Sequence, residues 1–264
     1  MAWLSLLRMS AAVLLACCLH VSVSAQTAPQ AVHVFVALAD NKNQGIVPVA
    51  ARLGNGDDPE HNLYWGAAYG VKTFFSRSKD WELVSTLQKP RNQVLERCVF
   101  KHKTRNVFLI ADAYQGREIK EAIRDFLAAA AGANAEPITV RSGAQSIVFD
   151  NANTGLVAYA GHEGFMDFQL DKLPQKHDDV RREAVILACI SKSYFAAPLR
   201  ATGAYPLLWT TGLMAPEAYT LKVAIDGWIA GDVHEHTRQL AAAAYNQYQK
   251  CGLNAARRLL VTGW

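Results

Sequence analysis

The stretch AVILACIS, residues 184–191, runs five apolar residues into Cys189 and stops at Ser191. A short, continuous apolar run reads as a strand buried on both faces, the kind parallel sheets use. The thiol at its carboxyl end has two readings. Free cysteine packs like a small hydrophobe and is among the most buried residue types. It is also a nucleophile when a base stands beside it. The rest of the chain decides between them.

The preceding long apolar run, GLVAYA (155–160), ends at Gly161-His162, so two apolar blocks in succession deliver a reactive side chain. AVHVFVAL (31–38) reads as a central strand and YPLLWTTG (205–212) as a further one. QVLERCVF and NVFLIADAY flank the basic KHKTR (101–105), which predicts a hairpin feeding a core strand. ITV and SIVFD, within 138–150, are two short β-like runs.

Helical spacing appears in LYWGAAYGVKTFFSR (63–77) and most clearly in GREIKEAIRDFLAAAAGA (116–133). In the latter, Ile119, Ile123, Phe126 and Leu127 form one face, opposite Lys120, Glu121 and Arg124. APEAYTLKVAIDGWIAG, with Pro216 near its first turn, VHEHTRQLAAAAYNQYQK and LNAARRLLV predict the closing helices. Strands alternating with helices predict an α/β domain with a mostly parallel sheet flanked by helices on both faces. DNKNQGIVPVAARLGNGDDPEHN (40–62) shows no period, and loops this long in a compact domain are usually functional or disordered.

The first residues carry one Arg, an apolar run and the small-residue pattern Val23-Ser24-Ala25. They read as a secretory signal over 1–25, too short for a membrane span. Leu14-Leu15-Ala16-Cys17 is a competing lipobox, which would leave a lipid anchor on Cys17. The apolar run that follows Cys17 favours plain export, to the periplasm or outside the cell. Removing 25 of 264 residues leaves 239, enough for one domain over 31–264.

The formal charge of +4 is scattered, which does not argue for nucleic acid. Beyond the signal, Cys98, Cys189 and Cys251 remain, an odd count for an exported chain. Export permits disulfides, so Cys98 and Cys251 lean towards a pair, with two buried thiols as the alternative. Cys189 is expected to be unbridged.

An apolar block ending in histidine and glycine, then one ending in Ala-Cys, resembles the caspase-like cysteine peptidases: caspases, legumains, gingipains and separases. Ala188-Cys189 matches the second half as written. The first half here is His162-Glu163-Gly164, with the glycine one position late, and 27 residues separate His162 from Cys189 (189 − 162). The resemblance runs in outline from about Val32 to Gly212 and is specific only in the two short motifs.

It implies a caspase-like sheet, Cys189 as nucleophile and His162 as the group that protonates the leaving amine. The oxyanion would be held by the backbone N–H of Cys189 and one from Glu163 or Gly164. The loop after the first strand would help line the substrate pocket, where Lys42 would favour an acidic group and Asp40 a basic one. The substrate implied is a peptide or protein, with no metal or cofactor. Glu163 in the glycine position favours a rival, a silent binding or sensing module on the same fold.

Weaker patterns add little. His234-Glu235-His236 supports a second rival, a metal-dependent hydrolase. Residues i and i+2 diverge on a helix, however, and no HExxH or CxxC spacing accompanies them. SRSK (76–79) has the S-x-x-K spacing of acyl-serine enzymes without its partner motifs, and GNGDDP (54–59) is turn chemistry.

Overall fold

The computed structural model describes residues 28–133, 137–142 and 145–264. The signal reading and Cys17 lie outside them. Ten strands and six α-helices alternate along the described chain. The strands are β1 (Gln30–Ala37), β2 (Trp81–Arg91), β3 (Val94–His102), β4 (Val107–Tyr114), β5 (Ile138–Ser142), β6 (Gln145–Phe149), β7 (Thr154–Ala160), β8 (Glu183–Leu187), β9 (Tyr205–Thr210) and β10 (Leu260–Val261). The helices are α1 (Val71–Ser76), α2 (Ile119–Ala131), α3 (Ser191–Thr202), α4 (Ala218–Ala230), α5 (His234–Gln249) and α6 (Leu253–Leu259).

Eight strands form one sheet in the order β10-β9-β8-β7-β1-β4-β3-β2. β4, β1, β7, β8 and β9 run parallel; β3, β2 and β10 are antiparallel additions at the two sides. The parallel strands are the apolar runs, as burial on both faces demands. β1 shows how period-2 geometry sorts its residues. Val32, Val34 and Val36 face a core with Phe75, Leu221, Ile225 and Tyr245, from α1, α4 and α5. Phe35 and Ala37 face the opposite core with Ile123, Phe126, Phe195 and Leu199, from α2 and α3. Helices therefore cover both faces, and the α/β architecture is as the sequence predicts.

The chain lays β4 on one side of β1, then returns to the other side with β7. The order thus reverses at β1. In open α/β sheets, the crevice beyond the carboxyl ends of strands at such a switch point is where ligands bind. β5 and β6 form a separate two-stranded hairpin. Its Val140 and Phe149 bury Phe108 and Ile110 of β4.

Three local expectations need correction. The helix over 63–77 shrinks to Val71–Ser76, because residues 63–70 are turns that insert Tyr64 and Trp65 into the core. The closing helix ends at Leu259, and Leu260–Val261 pair with β9 instead. Cys98 and Cys251 are both free: Cys98 is buried in β3, whereas Cys251 is exposed in the turn after α5. Among the described residues, no helix is long and apolar enough to cross a membrane.

Candidate active site

β7 and β8 are parallel neighbours, with Ala160 opposite Leu187. Each strand then runs two residues further, to His162 and Cys189. The Gly161 N–H donates to the Leu187 carbonyl at 3.2 Å, extending the ladder into the turns. The two residues therefore leave the sheet at the same edge and the same register, on strands spaced about 4.8 Å apart. That edge adjoins the switch point beside β1.

A strained turn holds Cys189. Ile190, the next residue, sits in the left-handed region at φ 53°, ψ 29° and caps α3. A β-branched residue rarely adopts that conformation, and such strain persists only where the surroundings over-determine it. Here they do. The Ser191 N–H donates to Thr210 Oγ1 at 3.1 Å, and the Thr210 N–H donates back to Ser191 Oγ at 3.0 Å. Thr210 Oγ1 also donates to the Ala188 carbonyl. The Ile190 N–H is held by the Gly212 carbonyl at 2.9 Å. Ser191 and Thr210 are fully buried, so this clamp between the turn and β9 is shielded from water. The twelve-residue α3 puts the partial positive end of its dipole under the turn.

The thiol is half-buried. Its Sγ accepts the Met214 N–H at 3.4 Å and approaches the Met214 carbonyl at 3.6 Å. The segment after β9 thus forms one wall. Tyr64 and Tyr245 line the same region, and each phenol feels both the Cys189 thiol and the Glu217 carboxyl.

His162 is 8% exposed. Tyr159 Oη donates to its carbonyl at 2.7 Å, and its Nε2 lies 2.8 Å from Asp167 Oδ2. Asp167 ends the 3-10 turn Gly164–Met166, so a single tight turn brings residues five apart together. With Nε2–H donating to Asp167, Nδ1 is the nitrogen left for chemistry. No hydrogen bond joins His162 to Cys189 directly; each is bonded to its own partner.

Glu163, in the glycine position of the resembled motif, turns inward and is 0% exposed. Its Oε1 accepts the Phe165 N–H at 3.3 Å, capping the 3-10 turn, while Oε2 is buried without a partner. Burial pushes its carboxyl up to about 8, so it is mostly uncharged at neutral pH. The backbone N–H groups of Glu163, Gly164 and Cys189 donate to no group among the described residues.

The long loop after β1 is pinned over this edge by buried amides. Asn62 Oδ1 accepts the Ala39 N–H at 3.0 Å, and Gln44 Nε2 donates to the carbonyls of Leu38 and Gly116 at 2.9 and 2.7 Å. Its Gly45 N–H reaches Asp167 Oδ2 at 3.4 Å. Asp40 is 5% exposed, and its carboxylate is occupied by its own loop. Oδ1 accepts the N–H of Lys42 and Asn43 at 2.9 and 3.1 Å, and Oδ2 accepts Asn43 Nδ2 at 2.8 Å. Lys42 itself points into solvent.

His234 and His236 lie at the start of α5 and reach different partners: Glu183 Oε1 at 2.7 Å and Asp232 Oδ2 at 3.9 Å. Among the described residues, no three His, Cys, Asp or Glu side chains converge to hold a metal. A separate polar cluster lines a cavity of about 340 Å³ on the α2 face, where Arg97 and His33 bind the buried Asp112. Those two partners hold the Asp112 carboxyl well below the usual range against the opposing cost of burial.

The residues that sequence reasoning missed are Asp167, Ser191, Thr210, Asn62, Met214 and Glu217. Asp167 reaches His162 through one tight turn that its sequence does not announce, and the others act through tertiary proximity. Comparison with family models, curated proteins and solved structures returns no match to this chain.

Proposed function

We propose that the chain is an exported cysteine endopeptidase of caspase-like fold, secreted or periplasmic, working through Cys189 and His162. One observation carries the reading: His162 and Cys189 follow parallel neighbouring strands at equal offset, beside a switch point. The strained Ile190 turn and the three undonated N–H groups add to it.

In this reading Cys189 gives its proton to His162, and the thiolate Sγ attacks the scissile carbonyl carbon. The carbonyl π electrons move onto oxygen, and the N–H groups of Cys189 and of Glu163 or Gly164 stabilise that oxyanion. Collapse of the intermediate breaks the C–N bond, His162 supplies the proton to the departing amine, and a thioester remains. Water, deprotonated by His162, then attacks the thioester, releasing the carboxylic acid and restoring the thiol. The Glu163 side chain does not oppose the oxyanion, because it is buried inward and largely neutral.

A second reading, a silent binding module on the same fold, is favoured by the bonding of Sγ to Met214 and of Nε2 to Asp167, with no bond between them. Cleavage of a mixed peptide library separates the two. Cysteine peptidase action predicts cleavage that Cys189→Ala and His162→Ala each abolish, with the fold intact. No cleavage by wild type, together with equal iodoacetamide labelling of Cys189 in wild type and His162→Ala, leaves the silent module.

A further inference from the structure

The segment that contacts the thiol leads to an acid with no cationic partner. Glu217 stands just before α4, three residues after Met214, whose backbone N–H donates to Cys189 Sγ. It is 9% exposed. Tyr219 Oη and Gln249 Nε2 donate to it at 2.9 and 3.1 Å, and both bonds fall on Oε2. Oε1 accepts from no group among the described residues and is not one of the atoms sealed from solvent.

The groups around the carboxyl are neutral. Tyr64 and Tyr245 each feel both Glu217 and Cys189, and burial raises both phenols, so they stay protonated. The Ala215 N–H donates to Tyr245 Oη at 3.1 Å, which fixes that phenol against the wall. Tyr219 stacks on Tyr248 at 4.2 Å and 6°, and Tyr69 meets both edge-on. Two other buried acids are paired with cations, Asp112 with Arg97 and Glu96 with Lys72, whereas Glu163 is capped within its own turn. A buried carboxyl normally has a cation or a network to offset its desolvation. Glu217 has two neutral donors and an open oxygen, and the segment before it, Met214-Ala215, bonds both Cys189 Sγ and Tyr245 Oη.

We infer that Glu217 selects the residue before the scissile bond, and that this residue is basic, lysine or arginine. The inference rests on the peptidase reading and names its substrate class. A guanidinium or ammonium reaching Oε1 forms a charge-assisted bond in a site where water is scarce, and the tyrosine rings supply the walls for its stem. An acidic residue there would face a carboxylate with no cation to relieve it. Of the other acids near this edge, Asp40 is spent on its own loop, Asp167 on His162 and the Gly45 N–H, and Glu163 is buried inward.

The test uses fluorogenic peptides differing only in that residue: Arg, Lys, Asp, Asn or norleucine. Arginine and lysine are expected to exceed aspartate by about 100-fold or more in kcat/KM. Glu217→Gln keeps the side chain's shape and is expected to bring the arginine-to-norleucine ratio to within about fivefold. Glu217→Asp, which keeps the charge, retains a basic preference. A second arm needs no turnover: agmatine binding to Cys189→Ala by calorimetry, expected to be lost in the Cys189→Ala/Glu217→Gln double variant. Cleavage that depends on Cys189 but favours acidic or neutral residues overturns the inference and leaves the peptidase standing. Agmatine binding that depends on Glu217, without any cleavage, supports the cation site and removes the peptidase. Neither cleavage nor binding removes both.

Discussion

The carboxylate of Asp167 holds the ring of His162 at 2.8 Å across a single 3-10 turn, and the same oxygen receives the Gly45 N–H at 3.4 Å from the loop after β1. The histidine is thereby tied to the strand before it and, through Asp167, to a loop far away in sequence. On the peptidase reading, Asp167 acts through His162 as a positioning residue. Asp167→Ala is expected to lower kcat by about 10- to 100-fold with little change in KM, since it removes a positioning contact. Asp167→Asn is expected to recover part of the loss. Unchanged kcat in steady-state assays of Asp167→Ala would show that the bond orients nothing.

Ile190 separates conformational strain from packing. A β-branched residue in the left-handed region costs roughly 1–2 kcal/mol, while glycine adds about 0.5–1 kcal/mol of unfolded-state entropy. The two nearly offset, and Ile190 is only half-buried. Ile190→Gly should therefore shift stability by less than ~1 kcal/mol in urea unfolding, far less than Ile→Gly in a core strand. Activity should fall more than stability, because the turn no longer fixes the thiol.

The Ser191–Thr210 clamp should behave in the opposite way. Thr210→Val keeps the shape but leaves the Ser191 N–H and the Ala188 carbonyl without their hydroxyl partner in a dry site. A loss of about 1–3 kcal/mol is expected by denaturant titration.

Glu163 gives the protein a pH signature. Its folded carboxyl is raised to about 8, above its unfolded value. The folded state thus holds a proton that the unfolded state has released between about pH 4.3 and 8. Stability contributed by this group is full below that window and lost as pH rises through it, by at most about 1.4 kcal/mol per pH unit. Glu163→Gln should flatten the slope of Tm against pH between about pH 5 and 8. A parallel slope in the variant would assign the effect elsewhere.

The thiols should sort by burial. Cys251 is exposed, while Cys98 is fully buried and pushed up to about 12. Alkylation of native protein followed by mass mapping should label Cys251 and spare Cys98 until the protein is unfolded. Labelling of Cys98 at a rate similar to Cys251 would contradict its position in β3.

The parallel core was legible because its strands are buried on both faces and read as unbroken apolar runs. The placement of His162 and Cys189 after neighbouring parallel strands followed from two such runs ending alike. β2 was not legible. Trp81–Arg91 is an edge strand with mostly exposed side chains, so WELVSTLQKPR shows no clean alternation. α3 carries Pro198 in its interior and a weakly amphipathic face, so its sequence argues against the helix that packing imposes. Tyr64 and Trp65 fall at helical spacing yet reach the core from turns, which is why the predicted helix over 63–77 overran. Asp167 depends on a 3-10 turn too short to show a period, and Glu217 on which segments meet after folding.

The two flanks of the sheet bear on how copies of the molecule meet in concentrated solution. β10 is two residues long, too short to template another strand. At the far side, β2 carries Lys89 in a left-handed conformation beside Pro90, within a register shift between Gln88 and Arg91. A proline withholds a ladder donor, the irregular register twists the edge away, and the charges resist a dry neighbour. A sheet of eight strands is thus blunted at both ends, and its backbone offers poor purchase for the edge-to-edge stacking that begins fibrils.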